Sequence, residues 1–372
     1  MIEIVHVENK TDLDLFIQLP YDLYKDNKYW APPIKSDERS YLTDIPQIDP
    51  GIETKMFLAK NNTGEVVGRM QIIINYHEIE FSGEKVGRFN KIDFIKDIEV
   101  CRSLLKAGED WARSKEIKKL IGPFGYTNLD AAGLLTEGFE ELSNASTIYN
   151  FPYYRDFIVQ CGYKTYLKWL EHEFTVPNKI PEKIIKFSEL VRNRYNLHYA
   201  SFNSKNEKLE QARQIIQLIN ICYAHLPGFV PLSKEIKDYY FKKYIPMINK
   251  EYISLVNDQN GKLIGFGLTL PSYTKALQKA KGLLFPFGFY YLWNASRYND
   301  RAEMLLIAIH PDYQQKGITS IIFEKILKQY IKNGIKKVES NPEQENNMNV
   351  RNLWKEYKFR LHKKRICYYK DI

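Results

Sequence analysis

The chain contains the same local pattern twice, and this internal duplication limits the folds it can adopt more than any other feature. The segment FLAKNNTGEVVGRMQIII (57–74) has the pattern of a strand, a polar turn with glycine and a second strand. The segment SLVNDQNGKLIGFGLTL (254–270) has the same pattern. Gly64 and Gly261 occupy the same place in the two segments, 197 positions apart. A period of this length indicates two copies of a domain rather than a short structural repeat.

A second repeated segment lies towards the end of each copy. An amphipathic helix followed by a strand is indicated in YRDFIVQCGYKTYLKWLEHEF (154–174) and in VRNLWKEYKFRLHKKRICYY (350–369). Tyr163 and Phe359 correspond at a separation of 196, almost the same offset. We therefore predict two copies of one fold, joined near VPNKIPEKIIKF (176–187).

Each copy is predicted to contain a strand, helices, a β-hairpin, a further strand, and then helix, strand, helix and strand. This order favours an α/β (α+β) fold with a mixed, mostly antiparallel sheet flanked by helices in each of two domains, 1–178 and 190–372. Insertions at 122–146 and 277–300 distinguish the copies, and we expect both to shape a substrate site. The aromatic stretch 285–293 fits a hydrophobic lid or domain contact better than a membrane anchor.

The net charge of the chain is compatible with several classes of binding partner and does not select one of them. The formal net charge of +9 suits a nucleic acid, an acidic membrane or a phosphorylated cofactor, and it equally suits a lysine-rich surface in solvent. No nucleic-acid-binding motif stands out, so we expect no nucleic-acid partner. The four cysteines form no C-x-x-C pair, and we expect neither a metal site nor a disulfide framework. With no signal-peptide pattern and no apolar run long enough to span a bilayer, we expect a cytoplasmic protein without stable membrane insertion.

A strand-to-helix loop in the second copy has the features of a phosphate site. AEMLLIAI (302–309) predicts a buried strand that ends at Pro311, and a helical pattern runs from Ile318. The first N–H groups of a helix lack internal partners and favour an anion, and Gly317 lets the backbone approach one closely. Lys316 adds positive charge. An ordinary strand–loop–helix turn explains the same residues, whereas the Walker A and dinucleotide fingerprints are absent.

The loop I-H-P-D-Y-Q-Q-K-G-I-T (309–319) resembles the acyl-CoA loop of the GNAT N-acetyltransferase superfamily, V-x-P-x-x-[RQ]-x-x-G-x-[GA]. Pro311, Gln314 and Gly317 match in place, and Thr319 departs from the final glycine or alanine. The resemblance implies that loop N–H groups bind the pyrophosphate of acetyl-CoA or another acyl-CoA. The residues to which it assigns cofactor contacts are Ile307, Ile309, Gln314, Gln315, Lys316, Gly317, Ile318, Thr319, Ser320 and Asn347.

The resemblance continues downstream, with one change that bears on chemistry. Asn347 and Phe359 fit the family pattern on the following helix and strand. Trp354 replaces the tyrosine that often protonates the departing thiolate, and tryptophan has no acidic proton to give at neutral pH. Tyr357 lies about 300° further round a helix, so it does not substitute for that tyrosine.

The first copy lacks an equivalent of the cofactor loop. Its strand at 87–95 and its helix at 98–115 are joined only by K-D-I-E, which is too short and too acidic to hold a pyrophosphate. The whole chain resembles the tandem-GNAT proteins of bacteria. We therefore expect the second domain alone to bind acyl-CoA, with a degenerate first domain beside it.

The catalytic residues are harder to assign from sequence. Glu303, at the start of the strand before the loop, is our candidate general base, and a strand-end carboxylate in solvent is the competing interpretation. Glu339 and Glu345 flank the next strand and are comparable candidates, while His310 fits a structural role better. No metal-ligand spacing is present.

The resemblance implies an N-acetyltransferase that acylates an amine of a small molecule or peptide by direct attack in a ternary complex. A non-catalytic acyl-CoA-binding protein is the alternative, suggested by Thr319 and Trp354. A membrane-associated or nucleic-acid-binding module is a third class, and a homodimer remains open.

Overall fold

The computed structural model describes residues 2–244, 249–345 and 359–372. The chain forms two compact units that are not continuous in sequence. Unit 1 comprises Met1–Leu170, Tyr273–Leu292 and His362–Ile372, and unit 2 comprises Glu171–Ser272 and Trp293–Leu361. Each unit therefore includes segments from both sides of the predicted join, and the linear boundary at 178–190 stays a prediction about the duplicated copies.

Unit 1 is built on a sheet in the order β1-β2-β3-β4-β5, followed by the C-terminal part of β14, with β6 also paired to β14. The β4–β5 pair is parallel, and the other pairs of this sheet are antiparallel. Its elements are β1 (Glu3–His6), α1 (Lys10–Leu23), α2 (Lys35–Ile48), β2 (Ile52–Lys60), β3 (Val66–Asn75), α3 (Tyr76–Ser82), β4 (Val86–Phe94), α4 (Ile98–Ser114), β5 (Lys119–Gly122), β6 (Leu134–Glu137), α5 (Tyr153–Gln160) and the first part of β7 (Lys164–Thr175).

Unit 2 is built on a sheet in the order β12-β11-β10-β9-β8, with the C-terminal part of β7 on the outer side of β12. Only the β11–β12 pair is parallel among the pairs described here. The elements that follow β7 in the chain are α6 (Glu182–Tyr195), β8 (His198–Ala200), α7 (Lys205–Tyr223), α8 (Lys234–Tyr244), β9 (Ile253–Asn257), β10 (Leu263–Pro271), α9 (Thr274–Ala280), α10 (Gly288–Arg297), β11 (Arg301–Ile309), α11 (Ile318–Lys332), β12 (Lys337–Ser340), β13 (Glu343–Gln344) and β14 (Phe359–Asp371). Among these, α9, the first half of α10 and most of β14 belong to unit 1. The predicted fold class, a mixed and mostly antiparallel sheet in each half, is confirmed.

The repeated sequence segments form equivalent hairpins. Gly64 and Gly261 have φ angles of 81° and 80° in the β2–β3 and β9–β10 turns, a left-handed conformation that glycine adopts without a Cβ clash. In both copies a glycine of the second hairpin strand also lies beneath the main helix. A Cβ on Gly68 would lie 2.7 Å from Val100 of α4, and one on Gly267 would lie 2.6 Å from Ile322 of α11. Close helix–sheet packing therefore requires glycine in both copies.

The core of each unit lies between its sheet and one amphipathic helix. In unit 1, α4 turns residues at helical spacing inwards: Val100, Cys101, Leu104, Leu105, Gly108 and Ala112. In unit 2, α11 does the same with Ile318, Ile321, Ile322, Phe323, Ile326, Leu327 and Tyr330. α6 packs beside α11 through Val191, which belongs to the same core. Burying one apolar face of each helix at this spacing is the main stabilising contribution of both copies.

The insertion at 122–146 packs against unit 1 itself. Arg88 is fully buried, donates two hydrogen bonds to Glu78 at 2.7 Å, and donates a third to the carbonyl of Gly125 at 2.8 Å. Asn75 donates to the carbonyl of Tyr126 at 3.1 Å. These bonds satisfy buried charges and fix the start of the insertion on the sheet.

Candidate active site

The centre of unit 2 contains a split between its two parallel strands. β11 and β12 are in register from Arg301↔Lys337 to Met304↔Ser340, and their pairing ends there although β11 continues to Ile309. Asn341 closes the split by donating a hydrogen bond from Nδ2 to the carbonyl of Leu305 at 3.0 Å. Beyond this point the edge of β11 that faces away from β10 is not paired with β12.

A β-bulge changes the direction of β11 at the same place. Thr269 of β10 pairs with Met304 and the preceding Leu268 pairs with Leu306, so Leu305 is the extra residue. A bulge reverses which face the following side chains occupy and increases the local twist. It therefore helps to turn the second half of β11 away from β12.

Side chains from α7 contact the open edge of β11. The Tyr223 hydroxyl donates to the carbonyl of Ile307 at 3.0 Å, and the Cys222 thiol donates to the carbonyl of Ile309 at 3.2 Å. Burial raises the pKa of Tyr223 well above its usual value and raises the pKa of Cys222 to about 11. Both groups therefore keep their protons at neutral pH, and Cys222 is not a thiolate nucleophile there.

The loop after β11 is a compact turn that leads directly into α11. The His310 N–H donates to the carbonyl of Ile264 at 2.8 Å, and the Gln314 side chain donates to the carbonyl of Ile309 at 3.1 Å. Gln315 and Gly317 both have left-handed φ angles, 61° and 82°. These bonds and two left-handed residues reverse the chain within a few positions.

The first turn of α11 presents backbone donors at the mouth of the split. Within the described part of the chain, the N–H groups of Gly317, Ile318 and Thr319 have no backbone acceptor, and no side chain caps the helix. The Ser320 hydroxyl donates to the Gly317 carbonyl at 2.7 Å, which supports the turn. The Lys316 ammonium is exposed, over the rings of Tyr195 and Tyr313, and so lies beside these donors. The arrangement suits an anion.

The corresponding helix in unit 1 is closed to an anion. Only three residues separate β4 from α4, and the carboxylate of the last, Asp97, accepts a hydrogen bond from the Glu99 N–H at 2.9 Å. The acidic cap satisfies a donor and places negative charge where a phosphate would need to be. The two loops therefore differ in the structure as they do in the sequence: the helix after the loop is capped by a carboxylate in unit 1 and is uncapped in unit 2.

Buried carboxylates lie on the face of the sheet opposite α11. Ala302 and Val338 pack in the core beneath that helix, so the alternate residues Glu303 and Glu339 point to the other face. Glu303 and Glu339 are directly in register on neighbouring strands and are only 5% and 8% exposed. Glu171 of β7 is also fully buried, with its carboxylate within 4.8 Å of that of Glu339. Glu303 is therefore not the solvated strand-end carboxylate of the competing interpretation.

In unit 2, a parallel strand pair that splits after a bulge is followed by an uncapped helix, and the loop between them carries the sequence resemblance. The family model described as the acetyltransferase (GNAT) family matches residues 214–359, the part of the chain that carries this geometry. A solved tandem GNAT protein from the clavulanic acid biosynthesis pathway, determined without AcCoA, resembles the fold with a TM-score of 0.58 and 13% identity. That similarity covers 100% of this chain and 98% of that one. Residues 214–359 therefore match the GNAT family, and the whole chain shares the fold of a tandem GNAT protein.

Two curated relatives extend the similarity over most of the chain. Protein YghO of Escherichia coli (strain K12) is 28% identical over 84% of this chain and 80% of its own length. Bacterial ceramide synthase of Caulobacter vibrioides is 22% identical over 77% of this chain and 74% of its own length. The likeness of fold to the solved tandem GNAT protein, which covers the whole of this chain, confirms the tandem arrangement predicted from sequence. No helix among the described residues is both long and apolar enough to cross a membrane.

Some sequence-predicted positions lie away from this geometry or outside the described residues. Asn347 and Trp354 fall in 346–358 and are not described. Glu345 follows β13 and is only partly buried. Tyr223 and Glu171 were not among the sequence-based candidates, although both contact the split or its carboxylates. Neither residue belongs to a sequence motif. The signal in the sequence that could have identified them is a polar residue within an otherwise apolar helix or strand pattern.

An ion cluster stabilises the opposite end of the split. Glu173 of β7 accepts hydrogen bonds from Lys337 at 3.0 Å and Arg360 at 3.1 Å, and it also pairs with Arg301. Burial alone would raise the pKa of Glu173, but these bonds and the charge of Arg301 outweigh burial and lower the pKa to about 2. One carboxylate thus joins β7, β11, β12 and β14 within unit 2.

We expect Glu173→Gln to reduce the free energy of unfolding by about 2 to 3 kcal/mol at pH 7, because three cations lose their common partner. The folded-state pKa lies below the unfolded value, so the stabilisation is present above about pH 4.5 and is lost as pH falls towards 2. Urea denaturation at pH 7 and pH 3 should show the difference between wild type and variant shrinking. Glu210→Gln, at an exposed pair with Arg213, should change stability by less than about 0.5 kcal/mol, and an equal loss would contradict the prediction.

Proposed function

We propose that this chain is an N-acyltransferase that transfers an acyl group, acetyl in the first instance, from acyl-CoA to an amine. The observation that carries the proposal is the uncapped N-terminus of α11 at the mouth of the β11–β12 split, set against the acid-capped helix of unit 1. The N–H groups of Gly317, Ile318 and Thr319 would hold the pyrophosphate, with Lys316 adding charge nearby. We therefore assign acyl-CoA binding to unit 2.

The open edge of β11 can bind the part of acyl-CoA that extends beyond the pyrophosphate. The N–H and C=O groups of one strand residue point to the same edge, so the carbonyls of Ile307 and Ile309 mark the edge that is not paired with β12. An extended amide-containing arm can bind along such an edge as an added strand does. Tyr223 and Cys222 already donate hydrogen bonds to these two carbonyls. The N–H groups on the same edge of β11 are therefore the groups that can donate to the amides of acyl-CoA.

The chemistry needs no covalent intermediate on the enzyme. The amine nitrogen attacks the thioester carbonyl, the C–N bond forms, and the C–S bond breaks to release CoA as a thiol. Glu303 would take the proton that the amine loses, and Glu339, beside it in register, is the second candidate. The departing thiolate recovers a proton, so that one acyl-CoA and one amine give one amide and one CoA thiol. The raised pKa of Cys222 argues against an acyl-cysteine route.

The acceptor in this proposal is a primary amine on a small molecule or peptide. The relative named bacterial ceramide synthase brings long-chain amino alcohols into consideration, since a ceramide carries its acyl group on such a nitrogen. The bacterial relatives and the free thiols of the cysteines fit a bacterial cytoplasm as its compartment.

A non-catalytic acyl-CoA-binding protein is the second candidate, favoured by Trp354 in place of the usual tyrosine. A thiol-release assay with acetyl-, octanoyl- and palmitoyl-CoA against a panel of polyamines, amino sugars, peptides and amino alcohols separates the two. Amine-dependent thiol release supports the enzyme. CoA binding by calorimetry, with no release for any pair, supports the binding protein, and absence of both rejects the acyl-CoA proposal.

A further inference from the structure

The aromatic insertion of unit 1 exposes an apolar surface that nothing else in that unit covers. We call residues 283–290 the aromatic tip. Phe285 is 75% exposed and Phe287 63%, and about half of each of three further side chains is exposed, namely Leu283, Phe289 and Tyr290. Five adjacent apolar or aromatic side chains exposed to this degree are unusual on a protein that binds nothing there.

The tip is a built element held in one conformation. Gly282 has a left-handed φ of 80°, and a Cβ there would lie 2.3 Å from the ring of Tyr21. Its carbonyl accepts a hydrogen bond from the Lys35 N–H at 2.9 Å, which ties the tip to the start of α2. A Cβ on Gly288 would lie 1.9 Å from the carbonyl oxygen of Leu283, so only glycine permits this turn. Because these turns already fix the tip, binding a partner through the aromatic rings costs little additional conformational entropy.

Only one side of the insertion is used for internal packing. Leu284, Tyr291 and Leu292 pack against a buried cluster of Ala31, Ile34, Leu277 and Ala280 in unit 1. The tip side is not packed in this way, because its rings are exposed to solvent. An element that is apolar on both sides, with one side exposed, implies a partner that is itself apolar.

Charge identifies the chemistry of that partner. Residues 273–292 contain no aspartate or glutamate, whereas Lys275, Lys279 and Lys281 are all exposed. Lysines flanking exposed phenylalanine and tyrosine match a surface that is negatively charged outside and apolar beneath. An anionic lipid bilayer has both properties, and aromatic side chains partition favourably into its interface.

We propose that the aromatic tip docks unit 1 onto the surface of an anionic lipid bilayer, with the phenylalanine rings in the interface and the lysines against the headgroups. The tip is eight residues long and lies in the interface without spanning the membrane. The tip belongs to unit 1, whereas the proposed acyl-CoA site belongs to unit 2, and docking does not depend on catalytic activity.

Co-sedimentation with vesicles tests the proposal, using the full chain without CoA at physiological salt. We expect wild-type protein to bind vesicles of 30% phosphatidylglycerol in phosphatidylcholine and to bind pure phosphatidylcholine much more weakly. The double variant Phe285→Ser/Phe287→Ser should lower the partition coefficient by at least about tenfold. Lys275→Glu/Lys279→Glu should lower it by at least about 25-fold, at about fivefold for each lysine, on the anionic vesicles alone.

The matched control is Phe81→Ser, because Phe81 is 52% exposed in α3 of the same unit but has Glu78, Glu80 and Glu84 near it in sequence. This variant should bind vesicles as wild type does, and thermal unfolding should confirm that all variants fold. An equal loss in the control, or no wild-type binding to anionic vesicles, overturns the proposal. A wild-type dimer that dissociates in the phenylalanine variant, without vesicle binding, would instead show that the tip contacts a second copy.

Discussion

Gly317→Glu should weaken CoA binding by on the order of 100-fold or more, measured by isothermal calorimetry. The substitution places a carboxylate beside the N–H groups that would hold the pyrophosphate, so repulsion replaces attraction at the end of the helix dipole. It also adds a Cβ 2.9 Å from the ring of Phe187, and it occupies a φ of 82° that side chains tolerate poorly. Gly317→Ala, which lacks the charge, should cost about tenfold.

The control for this experiment is Gly261→Glu. Gly261 has nearly the same φ of 80°, lies in the same unit, and has no atom within 4 Å of an added Cβ. It therefore imposes the same backbone strain, about 1 to 2 kcal/mol, in a turn outside the loop. CoA affinity should remain that of wild type. Equal CoA binding by wild type and Gly317→Glu would show that the loop is an ordinary turn.

Glu303→Gln should lower kcat by on the order of 100- to 1,000-fold while the KM for acyl-CoA changes little. The amide keeps the shape of the side chain in a buried position but cannot accept the proton that the amine loses. The measurement is steady-state thiol release with the best acceptor from the panel, together with calorimetry to confirm that CoA still binds.

Two further substitutions decide which carboxylate acts as the base. Glu339 is in register with Glu303 on the same face, so Glu339→Gln tests the neighbouring candidate in an equally buried position. Glu210→Gln, at an exposed residue of α7, is the control and should retain activity. A loss only in Glu339→Gln would move the base to that residue. Full activity in both buried variants would exclude a carboxylate base on these strands.

The two halves of the chain differ at the start of their main helix. Asp97 caps α4 in unit 1 with its own carboxylate, whereas α11 in unit 2 begins at a glycine with no side chain. An acidic cap disfavours an anion at a helix start, whereas an uncapped start with free N–H groups suits one. The core residues of α4 and its cap lie on different parts of the helix, so the cap can differ without a change in packing.

The features that depend only on neighbouring residues could be predicted from the sequence. The hairpins at Gly64 and Gly261, the strand before Pro311 and the helix start at Gly317 all follow from local turn and periodicity rules, and the structure has them. The duplication was also readable, because whole segments repeat at one offset. With the loop motif, these signals were enough to indicate the GNAT fold.

The tertiary structure alone decided what depends on strand register and long-range contact. It aligned Glu303 with Glu339 and brought Tyr223 to a carbonyl 84 positions away. It also drew residues 273–292 and 362–372 into unit 1, which they do not adjoin in sequence. It also left one side of the aromatic insertion exposed, which hydrophobicity alone could not indicate. Local rules describe a few consecutive residues, whereas register and exposure are set by which distant segments pack together.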